Sequence, residues 1–288
     1  MANKLKKNIT VVSLNAFGAP FNPKRIITSM LQNHVRKRFR KIAEFFSQED
    51  IDIISLQEVF TYPHLSVLKK LLPDYKYVLY KKFLYGPRGG VVIFSKIPLV
   101  QYSYVDFEKK GAWWNKSITG PLTRIGVLIA KMQDYPLYII NTHLIQNPEH
   151  DWKKENKYIV LLKKQLEQLA GIINLLRGSG ADMIISGDFN MAKDSIYYSQ
   201  FIKETGLSDP FEAFKSATYQ QYFLKEGVTA QRIDYIFTDF KRNHVITSTD
   251  HFFTKRLEFE NGEHHYVSDH IGLKLTFSLG KTTEDRKS

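Results

Sequence analysis

The chain has 288 residues, 43% of them hydrophobic, and no cysteine. That length and apolar content suffice for a large buried core, and the missing thiols exclude disulfides, thiolate zinc sites and cysteine nucleophiles. The formal net charge of +12, from 41 Lys+Arg against 29 Asp+Glu, favours phosphate-rich or otherwise anionic partners, so isolated acidic residues gain meaning from their placement. Residues 1–8 are polar and basic. No apolar run of signal-peptide or membrane-span length is present, and a soluble, cytoplasmic protein is expected.

Ile9 to Leu14 is a β-branched run that ends in Asn15, with Gly18 and Pro20 behind it, and reads as a strand and loop. Lys24 to Gln48 carries apolar residues at helical spacing, with its basic block Arg36-Lys37-Arg38 on the solvated side. Ile51 to Gln57 is apolar enough for a strand buried on both faces, and Glu58 closes it. Burying a carboxylate there without a partner would be costly. Residues 64–72 predict a short helix stopped by Pro73, and strands follow over Tyr75–Tyr80, Gly90–Phe94 and Leu99–Phe107.

Lys109 to Pro121 contains Trp113 and Trp114. Two readings are open for these rings, packing on the core or peripheral contact with a membrane. Arg124–Met132 and Leu137–Thr142 predict a strand pair around an Asp134-Tyr135-Pro136 turn, with His143 directly after it. Trp152–Leu176 predicts a long helix ended by Gly178-Ser179-Gly180. The next strand climbs through Met183-Ile184-Ile185 to Gly187-Asp188-Phe189-Asn190. Asp188 and Asn190, two apart on extended backbone, are expected to face the same way. A helix over Ser195–Thr205, an irregular region to Gln231 and strands over Arg232–Phe237, His244–Phe253 and Ile271–Phe277 complete the chain. No linker or repeat interrupts it, so one domain over residues 1–278 with a polar, disordered tail over 279–288 is expected.

Asn15, Glu58, His143, Asp188, Asn190, Asp234, Asp269 and His270 all fall at or near strand ends. Singly, each has a structural explanation. Together they form a set of hard oxygen donors and imidazoles without sulfur. Such a set suits Mg²⁺ or Mn²⁺, and a His–carboxylate pair supplies a base of fixed tautomer. Phosphodiester cleavage uses these parts: a metal on a phosphoryl oxygen, an oriented water and a proton donor for the leaving group.

The ordered blocks Asn15, Leu56-Gln57-Glu58-Val59, Thr142-His143-Leu144, Gly187-Asp188-Phe189-Asn190, Arg232-Ile233-Asp234-Tyr235 and Ser268-Asp269-His270 resemble the endonuclease/exonuclease/phosphatase superfamily. The resemblance implies an α+β fold, a four-layer α/β/β/α sandwich of two mixed sheets flanked by helices, with the site at one end of the sheets. It implies Glu58 as the main Mg²⁺ ligand, Asn15 beside it and Asp269 near the metal. His270 would be the general base oriented by Asp234. Asp188 and Asn190 would position water and phosphate, and His143 would bind phosphate or assist the leaving group.

Phe17 stands where abasic-site endonucleases carry an acid, and Leu56-Gln57-Glu58-Val59-Phe60 is more similar to the neutral sphingomyelinase branch, as is Gly89 to Pro98. The insertion Ala112 to Pro121 departs from that pattern. The expectation is a Mg²⁺-dependent phosphodiesterase, acting as a monomer on a phosphate-containing substrate, with a phospholipid first. A DNA or RNA nuclease, an inositol-phosphate-type phosphatase and a catalytically dead binding protein of the same fold are the alternatives.

Overall fold

The first strand alternates Ile9 and Val11 on one face with Val12 and Leu14 on the other, and all four are buried. A strand apolar on both faces must be covered on both, and the architecture follows from that demand. The computed structural model describes residues 8–18, 29–109, 124–260 and 262–280. Trp113, Trp114 and the rest of the insertion lie outside the described residues, as does the tail from residue 281 onward.

In chain order the strands are β1 (Asn8–Asn15), β2 (Ile53–Gln57), β3 (Tyr77–Leu79), β4 (Val92–Ser95), β5 (Leu99–Asp106), β6 (Gly126–Met132) and β7 (Leu137–His143). They continue with β8 (Asp182–Asp188), β9 (Asp234–Asp239), β10 (Val245–Phe252), β11 (Leu257–Glu258), β12 (His264–His265) and β13 (Gly272–Ser278). The described α-helices are α1 (Ser29–Gln48), α2 (Tyr62–Leu71), α3 (Lys157–Arg177) and α4 (Ile196–Thr205). One sheet has the order β10-β13-β1-β2-β4-β3 and the other β5-β6-β7-β8-β9, while β11 and β12 form a small hairpin. Both large sheets are mixed, with β1 parallel to β2 and β7 parallel to β8.

Between the sheets, Ile9, Val11, Ile53, Ile93 and Leu275 meet Leu128, Ile139, Ile184 and Ile236. On the outer face of the six-stranded sheet, Val12, Leu14, Ile54 and Leu56 pack against Phe39, Ile42 and Phe46 of α1 and Leu65 and Leu68 of α2. On the far side, Met183, Ile185 and Phe237 pack against Ile159, Leu162, Leu169 and Ile173 of α3 and Phe201 of α4. These are the four layers expected. Each such side chain, fully buried, contributes about 1.5–3 kcal/mol of transfer free energy.

Two helix starts differ from the periodic pattern, each because a polar cap decides the boundary. Asn156 Oδ1 accepts from the backbone N–H of Tyr158 and Ile159, so α3 begins at Lys157 and Trp152 stays in the preceding loop. Thr61 Oγ1 accepts from His64 N, with Pro63 in the first turn, which starts α2 two residues early. A third difference matters more. Arg38 is buried rather than solvated, and its guanidinium turns inward beneath the loop after β1.

Topology decides where the polar residues go. Asn15 at the end of β1 is level with Gln57 at the end of β2, and His143 at the end of β7 is level with Asp188 at the end of β8. The antiparallel neighbours β9 and β13 bring their starts to that rim, so Asp234 lies opposite Asp188, and Ser268-Asp269-His270 enters beside the end of β1.

Candidate active site

The rim is held by backbone conformations that the sequence accommodates at specific points. Gly187 has φ 148°, and a Cβ there would lie 1.9 Å from Thr142 O, so only glycine lets β8 approach β7 just before Asp188. Glu58 and Asn190 adopt positive φ, at 60° and 49°. Such strain in non-glycine residues is held only where the surroundings over-determine it.

Asn190 therefore does not continue an extended segment. Asp188 Oδ1 accepts from Asn190 N at 2.9 Å, and Asn190 Nδ2 donates to Leu144 O at 3.0 Å. The local Asx-type hydrogen bond ends the strand, and Asn190 ties the two loops after β7 and β8 together. Trp152 Nε1 donates to Asn190 O at 2.9 Å and steadies the same turn.

The eight candidate residues come together. Asn15 Nδ2 donates to Asp188 Oδ2 at 3.0 Å and to Glu58 Oε1 at 3.3 Å, and its Oδ1 accepts from Phe17 N. One amide thus bridges the carboxylates of two different sheets. His270 Nδ1 is 2.9 Å from Asp234 Oδ2, which turns Nε2 toward Asp188 Oδ2 at 3.7 Å and Asp269 Oδ1 at 3.8 Å. His143 Nε2 lies 3.5 Å from the same Asp188 oxygen. Glu58 is half-buried, and the other seven are buried.

Four carboxylates share this space, and their electrostatics show it. Burial, with Asp234 adding repulsion, pushes Asp188 up to about 8 against the pull of His270 and the Asn15 hydrogen bond. Burial and the Glu58 charge raise Asp269 to about 6. Burial works against the charged form of His270, but Asp234, Asp188 and Asp269 outweigh it and hold the imidazole well above its ordinary value. His143 goes the other way, down to about 4, through burial and the neighbouring His270. It is a neutral imidazole at neutral pH.

Such an excess of buried negative charge fits a cation. Asp188, Asp234 and His270 each offer one ligand atom, and these lie within 4.8 Å of one another. The donors are oxygen and imidazole with no sulfur, the chemistry of a hard divalent ion. Asn15 turns its N–H₂ to the cleft and its oxygen to Phe17, so here it acts as a bridge between carboxylates.

Several participants have no motif in the sequence. Tyr219, from the stretch read as irregular, donates its hydroxyl to Asp269 Oδ2 at 3.3 Å and sets its ring edge-on to His270 at 5.1 Å. Thr218 Oγ1 accepts from the N–H of Ile233 and Asp234 and fixes the start of β9. Below the rim, Gln57 Nε2 donates to Asn141 Oδ1 at 2.7 Å, and Asn141 Nδ2 donates to Leu56 O and Val92 O. This buried amide pair pins the two sheets in register under the site. Gln57 stands inside the Leu56-Gln57-Glu58-Val59 block, whereas Asn141 shows in the sequence only as a polar residue two before His143.

Comparison with known proteins points to one family and one fold. The sequence profile of the Endonuclease/Exonuclease/phosphatase family matches residues 12–270. Human sphingomyelin phosphodiesterase 2 is 24% identical over 213 residues, spanning 70% of this chain and 46% of that protein. A Caenorhabditis elegans protein provisionally named a neutral sphingomyelinase is 25% identical, spanning 99% of this chain and 70% of its own length. The chain thus corresponds to about half the length of the human relative and more of the nematode one. Among solved structures, D. rerio TDP2 complexed with a single strand DNA product superposes with TM-score 0.68 at 16% identity, covering 95% of this chain and all of that one. Sphingomyelinase C from Streptomyces griseocarneus gives TM-score 0.64 at 17% identity, covering 94% and 99%. The profile match over most of the chain, with the rim it brings together, places this protein in the endonuclease/exonuclease/phosphatase family, a family of metal-dependent hydrolases of phosphoester bonds.

Proposed function

We propose that this chain is a Mg²⁺-dependent phosphodiesterase whose substrate is a sphingomyelin-like phospholipid. The observation that carries the reading is the convergence of Glu58, Asp188 and the Asp234–His270 pair around the bridging amide of Asn15. The lipid choice is supported by the names of the relatives that align over most of the chain.

Glu58 would hold the ion, with Asp269 alongside, while Asn15, its oxygen turned to Phe17, would steady the Glu58 and Asp188 carboxylates. When bound, a divalent ion supplies Lewis-acid polarisation of a phosphoryl oxygen. Asp234 accepts from His270 Nδ1, which leaves Nε2 facing the cleft; the surrounding carboxylates keep the ring protonated, and once a bound cation offsets them Nε2 is free to take a proton from an attacking water. Asp188, held by Asn15 and by Asn190 N, lies within 3.7 Å of that Nε2 and orients the water. His143, neutral and 3.5 Å from the same Asp188 oxygen that His270 approaches, is placed to donate a hydrogen bond to a phosphate oxygen or the departing oxygen. Asn190 contributes by fixing the loop rather than by facing the water with Asp188.

The net charge of +12 favours a second reading, hydrolysis of nucleic acid. A single panel separates the two: Mg²⁺-dependent hydrolysis of sphingomyelin, phosphatidylcholine, single-stranded and plasmid DNA, RNA and inositol phosphates, with Glu58→Gln as the blank. Sphingomyelin turnover above all other substrates supports the lipid reading. Preferential DNA or RNA cleavage replaces it with the nuclease. Among the described residues no helix is long and apolar enough to cross a membrane.

A further inference from the structure

The site has two halves that come from opposite ends of the chain. The Asn15 side is set by the loop Ala16-Phe17-Gly18, and the His270 side by the segment Val267-Ser268-Asp269. Arg38, on α1, joins them. Its Nη1 donates to Ala16 O at 3.2 Å and to Val267 O at 3.0 Å, and its Nη2 donates to Phe17 O at 2.6 Å. The guanidinium also lies over the Phe17 ring, 4.7 Å from its centroid. A second tie runs beside it, from Ser268 Oγ to Asn15 O at 2.6 Å.

We propose that Arg38 is a positioning residue of the active site, a clamp that holds the metal-side loop after β1 at a fixed distance from the segment carrying Asp269 and His270. This rests on the phosphodiesterase reading above. Only a planar fork with several N–H groups can serve three carbonyls and stack on a ring at once. The side chain is a cation at neutral pH: burial lowers it to about 10, against the pull of Asp269 and Glu58. It therefore also sets one fixed positive charge behind a cleft that is otherwise acidic. The hydrogen bonds of Arg38 go to backbone carbonyls of the two segments, so it acts on the reaction by placing them and through that fixed charge.

The test compares Arg38→Met and Arg38→Lys with Phe46→Leu, a core substitution on the same helix remote from the rim. Hydrogen–deuterium exchange and kcat/KM per folded molecule are measured for each. Arg38→Met should accelerate exchange over 13–18 and over 266–270 together, leave 182–186 unchanged, and lower kcat/KM about 100-fold, the scale of a small misplacement of reacting groups. Arg38→Lys should recover only part of the loss, and Phe46→Leu should lower the melting temperature without slowing turnover. Unchanged exchange at either rim segment overturns the clamp. So does full activity in folded Arg38→Met, or a loss in Phe46→Leu equal to that in Arg38→Met. If the wild-type protein hydrolyses no phosphodiester, the function reading fails, and the paired exchange response alone decides whether Arg38 ties the two segments.

Discussion

Strand β8 begins and ends with a buried aspartate, and the two ends behave in opposite ways. At its start, Asp182 accepts from Arg242 Nη1 at 2.7 Å and from the backbone N–H of Lys241 and Arg242, with His244 Nε2 at 3.1 Å. At its end, Asp188 faces Asp234 across the sheet and has Asn15, Asn190 and two imidazoles around it. The Asp182 carboxyl is held below its ordinary range, because its hydrogen bonds to His244, Arg242 and Lys241 outweigh the effect of burial. The Asp188 carboxyl is driven up. Strand β9 repeats the contrast, with Asp239 paired to Arg177 and Lys241 at one end and Asp234 at the rim at the other. One end of the sheet is charge-neutralised and serves the fold. The other keeps surplus negative charge that a bound cation would offset.

Substitutions at the two ends should sort accordingly. His270→Ala is expected to lower turnover per folded molecule by about 10²–10⁴-fold, the usual size of a general-base contribution. Loss of less than tenfold would move the base role to another residue. At the far end, Asp182→Asn should cost about 3 kcal/mol of stability, since it leaves the Arg242 guanidinium without its buried counter-charge. Its turnover below the melting transition should match wild type, and a selective loss of turnover would erase the distinction between the ends.

The same pair gives an acid-side signature. Because its hydrogen bonds hold the Asp182 carboxyl below its ordinary value in the folded protein, the unfolded chain binds its proton first as pH falls. The stability it contributes is complete above about pH 4 and is lost as pH falls through the folded value. Urea midpoints measured from pH 6 down to pH 3 should therefore decline more steeply for wild type than for Asp182→Asn. Parallel declines would contradict the pairing. The smallest effect is expected at Asp188→Asn, a stability change within about 1 kcal/mol of wild type although activity is lost, as is common where a site holds groups for function rather than stability. A loss as large as that of Asp182→Asn would show that Asp188 is a structural anchor.

The layers were legible in the sequence because a doubly buried strand leaves a plain record: Ile9 to Leu14, Ile51 to Leu56 and Met183 to Ile185 are apolar whichever face they present. The rim residues were legible because polar groups at the ends of such runs have few other reasons to be there. What escaped was whatever depends on long-range partners. Arg38 sits in a basic block at helical spacing, and nothing local distinguishes it from Arg36 or Lys37, which are exposed. Its burial is set by carbonyls that arrive from residues 16, 17 and 267. Tyr219 and Thr218 lie in an aperiodic stretch, and their roles exist only once β9 and the Ser268 turn are in place. Asn190 was misread as extended because spacing alone does not register its hydrogen bond to the preceding Asp188.

The measurement that bears most directly on the acidic rim is the rate of hydrolysis of a soluble diester, bis(p-nitrophenyl) phosphate, as a function of Mg²⁺ concentration for wild type, Glu58→Gln and Asp182→Asn. The expected result is a saturable Mg²⁺ dependence in wild type and Asp182→Asn, abolished by a chelator and absent in Glu58→Gln. Hydrolysis that survives the chelator, or a Glu58→Gln protein as active as wild type, would contradict it.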